Sequence, residues 1–345
     1  MAPKVVVSSG MARTDEVVAP LRAAGCQVVQ TPLPPAVGMQ IFSDQQKEEY
    51  FSDADAFIAG LRDQYSRDVL EACVRLKIGS SPVIGTEHID VEVATELGIV
   101  IGYGAVPENF DGVAEAIIML SAALIKQLPA KWDVVQRGDW MVPDVGRMVA
   151  KRTIGMIGVG NIGRGVARRL AGWETQLIAF DPYITSAEVE SLGVTLVDLD
   201  TLLRESDVVS VQVTLTKETR GMIGEREFGL MKPSAYIINT ARGPVIDEAA
   251  LIRALDGGSI AGAGIDVWEQ EPTPGDNPLR RHPRVIATGH KIGHSLECYQ
   301  ALNVAAVENT LRGLRGEEPL YVRNPKVLPG WRERLARLAA AGAAV

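Results

Sequence analysis

Three polar side chains follow short apolar runs in the second half of the chain, and their types suit acid–base chemistry on a molecule that carries a carboxylate. Arg242 lies in INTARGPVIDEAAL, Asp266 and Glu271 lie in AGAGIDVWEQEP, and His290 lies in VIATGHKIGH. A guanidinium can bind a carboxylate bidentately and polarise a neighbouring carbonyl. A histidine held by a carboxylate is the usual general acid/base unit. For Arg242 alone, a structural pair with an acid of the next helix, such as Asp247, is an equal alternative.

Short apolar runs alternate with helical patterns in two blocks, which predicts parallel sheets with helices on both faces. The predicted strands of the first block are Val5–Ser8, Gln27–Gln30, Ala56–Ala59, Leu76–Gly79 and Ile99–Ile101. Those of the second are Thr153–Val159, Gln176–Phe180, Val208–Val213, Ala235–Asn239, Ala261–Val267 and Val285–Thr288. Ligands bind beyond the carboxyl ends of strands in such sheets, so the arginine, the glutamate and the histidine can face one cleft.

The two blocks predict two lobes in a chain of 345 residues, about twice the length of a typical domain. A long helical pattern runs from Val113 to about Leu128, and the pattern is helical again after His294. We therefore expect a catalytic, substrate-binding domain over 1–120, completed by 295–345, and an NAD-binding domain over 121–294. The cleft between them is expected to hold the substrate.

A glycine loop opens the second block. Gly158-Val159-Gly160-Asn161-Ile162-Gly163 is G-x-G-x-x-G between a predicted strand and a predicted helix, and Asp181 ends the next strand. Gly158 permits the tight turn, Gly160 lets the backbone approach a pyrophosphate, and Gly163 permits close helix packing. Asp181 can accept hydrogen bonds from a ribose diol and would repel a 2′-phosphate, which favours NAD over NADP. Arg164 weakens that preference because a nearby arginine can hold a 2′-phosphate, and incidental glycines in a turn are the alternative to the whole motif.

The composition argues against several classes of protein. A net charge of −8, from 35 basic and 43 acidic residues, predicts no nucleic-acid or membrane surface. The N-terminus lacks a secretory apolar segment, and three scattered cysteines form no metal-ligand spacing. We expect a soluble, cytoplasmic protein with no bound metal.

Taken together, these motifs resemble the NAD-dependent D-isomer-specific 2-hydroxyacid dehydrogenase family, over about Phe57 to Arg315. GVGNIG with Asp181, NTARGPVIDEAAL and AGAGIDVWEQEP match together, with 29 residues from Arg242 to Glu271 and 19 from Glu271 to His290. The resemblance implies an α/β fold of two Rossmann-like doubly wound lobes, a flavodoxin-like catalytic lobe and a Rossmann lobe for NAD. It implies hydride transfer between NAD(H) and a 2-oxo acid/D-2-hydroxy acid pair, in a homodimer with helices near Val113–Arg137 at the interface.

The family's functional residues carry over to positions that match its motifs. The resemblance implies that Arg242 binds the substrate carboxylate and carbonyl, that His290 is the acid/base and that Glu271 is its partner. Ile84, Gly85 and Asn109 are implied substrate contacts. Implied cofactor contacts are the loop glycines Gly158, Gly160 and Gly163, Asn161 and Ile162 at the pyrophosphate, Asp181 at the ribose, Val213 and Thr214 by the adenine, Thr219 near the cofactor, Thr240 and Ala241 by the nicotinamide ribose, Asp266 at the nicotinamide, and Gly293.

Two other functions stay open at this stage. One is a relative that acts on a substrate other than a hydroxy acid, such as formate. The formate enzymes typically carry glutamine where this chain has Glu271, and glutamine cannot support an imidazolium in the same way, so formate oxidation is disfavoured. The other is an NADH-binding sensor or corepressor, which turnover would exclude. Arg62 could bind a second acidic group of a larger substrate. The favoured interpretation of Arg62 is nevertheless a solvated surface residue.

Overall fold

The computed structural model describes residues 2–8, 10–35, 38–141 and 145–342. The chain divides into two compact units, of which unit 1 comprises Met1–Glu108 and Ser295–Val345 and unit 2 comprises Asn109–His294.

Unit 1 contains a five-stranded parallel sheet in the order β2-β1-β3-β4-β5. Its strands are β1 Lys4–Val7, β2 Gln27–Gln30, β3 Ala56–Ile58, β4 Ile78–Ser80 and β5 Val100–Gly102. The first helices of this unit are α1 Asp15–Ala23, α2 Asp44–Gln46, which continues into a π-helical turn over Lys47–Phe51, α3 Arg67–Ala72 and α4 Val91–Glu96. The middle strands β3 and β4 are buried at every residue, as expected for parallel strands covered on both faces.

Unit 2 contains a seven-stranded parallel sheet in the order β12-β11-β10-β9-β6-β7-β8. Its helices are α5 Pro107–Ile125, which begins at the end of unit 1, α6 Leu128–Gln136, α7 Asn161–Leu170, α8 Leu199–Glu205, α9 Glu225–Leu230 and α10 Glu248–Asp256. Its strands are β6 Thr153–Ile157, β7 Gln176–Phe180, β8 Val194–Leu196, β9 Val208–Val211, β10 Tyr236–Asn239, β11 Gly262–Ile265 and β12 Val285–Ala287. The strand order reverses between β6 and β9, the position at which doubly wound sheets bind ligands.

Two further helices, α11 Leu296–Arg315 and α12 Leu328–Gly342, complete unit 1 from the C-terminal part of the chain. Helix α11 packs so closely on β4 that a Cβ at Gly313 would lie 2.6 Å from Ile78 Cδ1. On α12, the buried Trp331 donates its indole N–H to the Lys77 carbonyl at 2.6 Å. Arg334 donates to the carbonyls of Leu76, Leu97 and Cys73 at 2.7, 3.1 and 2.9 Å, which satisfies backbone acceptors around the ends of α3 and α4.

The predicted fold class is confirmed, and three details differ from the prediction. The first boundary between the units lies at 108/109 and not at 120/121, because Ala114, Ile117 and Leu120 of α5 are part of the unit 2 core. Helix α5 begins at Pro107, six residues before the predicted start. Strand β8 was not predicted, since three residues at a sheet edge show no periodicity.

Among the described residues no single helix is long and apolar enough to cross a membrane. The pair α5 and α6 has the combined length and composition, but the two helices bend by 64° at their junction.

Candidate active site

The glycine loop has the backbone geometry that a dinucleotide pyrophosphate requires. Gly158 has φ +95°, and a Cβ there would lie 3.0 Å from the Gln212 carbonyl oxygen, so glycine is needed for conformation and space. Gly160 is the N-cap of α7 and provides no side-chain cap, while a Cβ at this residue would meet no atom within 4 Å. A Cβ at Gly163 would lie 2.7 Å from the Gly158 carbonyl oxygen. The first turn of α7, including Asn161 and Ile162, therefore has open space at its positive end.

Asp181 follows β7 and lies directly beside this loop. Its Oδ2 accepts the Val159 N–H at 2.9 Å and its Oδ1 accepts the Tyr183 N–H at 3.0 Å. Two backbone bonds fix the carboxylate next to the glycine loop, and each oxygen keeps further lone pairs for hydroxyl donors. The loop and the acid fit the pyrophosphate and ribose of a dinucleotide.

Five further predicted cofactor residues follow strands β9 and β10. Val213 lies beside Gly158, at 3.1 Å from a Cβ built there. Thr219 donates its hydroxyl to the Thr214 carbonyl at 2.7 Å, so the two residues belong to one closed loop. Thr240 and Ala241 form the turn between β10 and Arg242, and both are partly exposed.

Arg242 is held by a turn that its neighbour Asn239 organises. The Asn239 side chain, which is 1% exposed, accepts the Ala241 N–H at 3.1 Å and donates to the Arg242 carbonyl at 3.0 Å. The Arg242 guanidinium donates to the Ala241 carbonyl at 2.7 Å and remains partly exposed. Asp247, the suggested structural partner, is the N-cap of α10 and accepts the Ala250 N–H at 2.9 Å. The sequence pattern did not reveal the role of Asn239, although an asparagine at a strand end is a typical turn signal.

The next residue, Gly243, brings the arginine turn against the segment that carries Glu271. A Cβ at Gly243 would lie 1.9 Å from both the carbonyl carbon and oxygen of Trp268. The Trp268 indole is 5% exposed, packs in the unit 2 core and donates to the Thr288 carbonyl at 2.8 Å. These contacts link the carboxyl ends of β10, β11 and β12.

We expect Gly243→Ala to lower the free energy of unfolding by about 1–3 kcal/mol, because the new methyl group meets backbone that cannot rotate away. Urea unfolding of both proteins, followed by circular dichroism, measures the change. Gly229→Ala is the matched control, since a Cβ at Gly229 in α9 meets no atom within 4 Å. Equal unfolding midpoints for wild type and Gly243→Ala would contradict the close approach.

His290 and Glu271, the predicted acid–base pair, are in direct contact. His290 Nδ1 lies 2.7 Å from Glu271 Oε2, and Glu271 Oε1 accepts the Trp268 N–H at 3.0 Å. Burial raises the pKa of Glu271, but the bonds from His290 and the Trp268 N–H and the charges of His290 and Arg242 outweigh it, so the pKa lies below its usual value. The effect of Arg242 on this carboxylate places all three predicted catalytic residues in one electrostatic neighbourhood.

The turn that carries His290 is held by Asp266. His290 has φ 56°, a left-handed conformation, and its N–H donates to the Asp266 carbonyl at 2.6 Å. The Asp266 carboxylate accepts the Thr288 hydroxyl at 2.7 Å and the Lys291 and Ile292 N–H groups at 3.1 and 3.3 Å. Asp266 is 4% exposed, so these bonds give it a structural role beside the predicted cofactor contact.

Gly293, a predicted cofactor residue, lies against the start of α5. A Cβ at Gly293 would lie 2.5 Å from Val113 Cγ2, and a Cβ at Gly112 would lie 2.1 Å from the Gly293 carbonyl oxygen. Gly293 therefore has a packing role that the sequence did not indicate.

The predicted substrate residues do not all lie in the same unit. Ile84 and Gly85 follow β4 in unit 1, where the Gly85 carbonyl accepts the Ser81 hydroxyl at 2.8 Å. Asn109, at the start of α5, is 7% exposed and is assigned to unit 2. Arg62 of unit 1 donates to the carbonyls of Pro35 and Gly38, so it holds a loop and is not simply solvated.

Comparison with known proteins identifies the family. The family model described as "D-isomer specific 2-hydroxyacid dehydrogenase, NAD binding domain" matches residues 118–291. A glyoxylate reductase of Thermofilum pendens is 36% identical over 285 residues, which cover 80% of this chain and 83% of that protein. The chain belongs to the D-isomer-specific 2-hydroxyacid dehydrogenase family.

Other relatives agree with this assignment. A D-3-phosphoglycerate dehydrogenase of Methanocaldococcus jannaschii is 37% identical over 292 residues. The aligned residues cover 84% of the present chain and 55% of that longer protein. The solved D-lactate dehydrogenase of Lactobacillus jensenii with NAD⁺ superposes with a TM-score of 0.74 at 27% identity, covering 92% of this chain and 99% of that one. The predicted reaction class, hydride transfer between NAD(H) and a 2-oxo acid/2-hydroxy acid pair, and the predicted cofactor NAD are confirmed at the level of the family.

Proposed function

We propose that Arg242, Glu271 and His290 carry out the reduction of a 2-oxo acid to the D-2-hydroxy acid. The observation that carries this proposal is the 2.7 Å contact between His290 Nδ1 and Glu271 Oε2, with the charge of Arg242 acting on the same carboxylate. A proton donor and a carboxylate-binding cation are the two groups that this reaction requires from the protein.

In the proposed mechanism each residue has one task. NADH, when bound along the glycine loop, supplies the hydride. Arg242 binds the substrate carboxylate and polarises the keto oxygen. Because Glu271 engages Nδ1, His290 donates its proton to that oxygen through Nε2, and Glu271 stabilises the positive charge on the ring. Asp266 and Asn239 act indirectly, by positioning the turns of His290 and Arg242.

We further propose that the substrate is a small 2-oxo acid such as glyoxylate. Support comes from the glyoxylate reductases of Thermofilum pendens and Korarchaeum cryptofilum, which are 36% and 37% identical and of which the chain covers 83% and 86%. Ile84, Gly85 and Asn109 are the proposed further substrate contacts. Arg62 binds two backbone carbonyls, which makes it a weaker candidate for a second anionic group.

The test is NADH consumption by the purified protein with a panel of 2-oxo acids, from glyoxylate and pyruvate to aromatic and dicarboxylic members. We expect the smallest acids to give the highest kcat/KM. Turnover of a dicarboxylate alone would reject a small 2-oxo acid as the substrate and point back to Arg62. Tight NADH binding without any turnover would reject the enzymatic proposal in favour of a sensing role.

Glu271→Gln should move the alkaline limb of the pH profile for 2-oxo acid reduction to lower pH. The carboxylate stabilises the protonated imidazole, whereas a neutral amide does not, so the variant loses its proton donor earlier as the pH rises. The depressed pKa of Glu271 means that the carboxylate supplies this stabilisation above its own titration and loses it as the pH falls through that value. Steady-state kcat/KM from pH 5 to 9 measures the shift, and superimposable profiles would contradict the pairing.

We also propose a homodimer that uses helices α5 and α6. Together these helices expose large apolar side chains, namely Met119 at 55%, Leu128 at 50%, Trp132 at 65% and Val135 at 56%. Apolar surface of this kind is typical of protein–protein interfaces. Light scattering should give twice the chain mass, and Trp132→Glu should lower it to the monomer mass. Ile41→Glu, at a residue of unit 1 that is 72% exposed, is the control.

A reducing compartment such as the cytoplasm is the proposed location. Cys26, Cys73 and Cys298 are all buried thiols that form no disulfide, and burial raises the pKa of Cys73 to about 12. Buried free thiols are typical of proteins in reducing compartments.

A further inference from the structure

Arg164, the residue after the last glycine of the loop, points toward the segment that follows Asp181. Its guanidinium Nη1 donates to the Glu188 carbonyl at 2.8 Å, and Nη2 lies 4.0 Å from Glu188 Oε1. The Arg164 side chain is 31% exposed, so it is neither buried in the core nor extended into solvent. The backbone contact is the firm one, and the carboxylate adds a charge at longer range.

Glu188 is itself fixed by a capping interaction. Its Oε2 accepts the Thr185 N–H at 2.8 Å and the Thr185 hydroxyl at 2.9 Å, at the start of the short 3-10 helix Ser186–Glu188. The pKa of Glu188 lies below its usual value. The largest cause is the bond from the Thr185 N–H, followed by the bond from the Thr185 hydroxyl, and the charge of Arg164 adds to them. The carboxylate is therefore ionised at neutral pH, with one oxygen used by the cap and the other on the side of Arg164.

This arrangement lies where dinucleotide enzymes distinguish their cofactors. In Rossmann lobes an acid at the end of the second strand binds the ribose diol of NAD, and a nearby arginine accommodates the 2′-phosphate of NADP. The present chain has both groups, since Asp181 lies beside the glycine loop and Arg164 lies on the first turn of α7. Of the two, only the arginine would attract a phosphate. The Glu188 backbone carbonyl positions its guanidinium, and the Glu188 carboxylate, at 4.0 Å, offsets its charge.

We propose that Glu188 is a second determinant of cofactor choice, which withholds the Arg164 guanidinium from a 2′-phosphate. This inference rests on the proposed placement of the adenosine ribose at Asp181. Two carboxylates then disfavour NADP in different ways. Asp181 repels the 2′-phosphate directly, and Glu188 offsets the charge of the arginine that could bind it. Glu188→Gln alone has little effect while Asp181 remains charged. The two substitutions together uncover a phosphate site that neither exposes alone.

The test measures the dissociation constants of NADH and NADPH by fluorescence titration for four proteins: wild type, Asp181→Asn, Glu188→Gln and the double variant. Glutamine at residue 188 removes the charge and keeps an oxygen for the Thr185 cap. Asparagine at residue 181 removes the charge and keeps one of the two oxygens that accept backbone N–H groups. A new charge-assisted contact to phosphate strengthens NADPH binding by roughly tenfold or more. Each substitution changes the affinity for NADPH relative to that for NADH by some factor. We expect the change in the double variant to exceed the product of the two single changes by about tenfold. Adding Arg164→Met should abolish the excess.

The same measurements distinguish a failure of the role of Glu188 from a failure of the ribose placement at Asp181. Glu190→Gln, at another exposed acid of the same segment, should leave the ratio of the Asp181→Asn protein unchanged. If the single effects combine additively and Arg164→Met changes nothing, Glu188 has no such role while the ribose site stands. If Asp181→Asn itself leaves the ratio unchanged although NADH binds, the ribose is read elsewhere, and both the placement and the inference are wrong. Thermal unfolding of each variant verifies that it is folded.

Discussion

Replacing His290 with alanine is expected to lower kcat for 2-oxo acid reduction by about 10²–10⁴-fold, the usual contribution of a positioned general acid. NADH should still bind with its wild-type affinity, because the glycine loop and Asp181 lie in other segments of unit 2. Loss of the proton donor leaves the developing alkoxide without compensation. Steady-state NADH consumption gives kcat, and fluorescence titration gives the NADH dissociation constant.

His282→Gln is the matched control for this experiment. His282 Nε2 lies 3.5 Å from Asp256 Oδ1, and its Nδ1 accepts the Arg284 N–H at 3.1 Å, so it serves the local structure next to β12. We expect this variant to keep its activity. A His290→Ala protein with wild-type kcat would remove the imidazole from the mechanism, and loss of NADH binding would show that the turn itself had collapsed.

Arg242→Lys is expected to lower kcat/KM by about 10²–10³-fold, the size of effect seen when a donor to a developing oxyanion is lost. Lysine keeps the positive charge but not the planar pair of donors, and so it cannot bind a carboxylate bidentately while it polarises the adjacent carbonyl. KM should rise because the carboxylate is held less well. In addition, kcat should fall because the keto oxygen is less polarised. Separate determination of the two constants checks this division.

The control is Arg253→Lys, at an exposed arginine of α10 that lies 3.5 Å from Glu225. It should leave both constants unchanged, since an exposed ion pair contributes little. If Arg242→Lys changed KM alone, the arginine would bind the substrate without assisting the reaction. If neither constant changed, the proposed carboxylate site would lie elsewhere.

The sequence was most informative where local backbone chemistry alone determines the outcome. The glycines of the loop, Asp181 and the strands Gln27–Gln30 and Gln176–Phe180 were all predicted at their observed positions, because turn geometry and short apolar runs leave few alternatives. The joint spacing of Arg242, Glu271 and His290 then placed three strand ends together. In the structure Glu271 contacts His290, so the segments that follow β11 and β12 meet.

Long-range packing was not predictable in the same way. The approach of Gly243 to Trp268 and of Gly112 to Gly293 depends on which backbone segments meet in the folded unit, and a lone glycine in a sequence carries no record of its neighbour. The bonds from Asp266 to the turn after β12 were missed because an aspartate at a strand end suggests a ligand as readily as a structural acceptor. The boundary at 108/109 was missed because an apolar helix between two blocks can pack on either one.

The completion of unit 1 by α11 and α12 has a consequence for co-translational folding. Residues 1–108 emerge first, yet β4 has no cover until Gly313 and its helix have been synthesised. Unit 2 is continuous and can fold in the interval, which at ordinary translation rates amounts to roughly 10–40 s. During that time the nascent first sheet exposes apolar strand surface. Residues 1–108 therefore complete their native packing only after the whole of unit 2 has been synthesised.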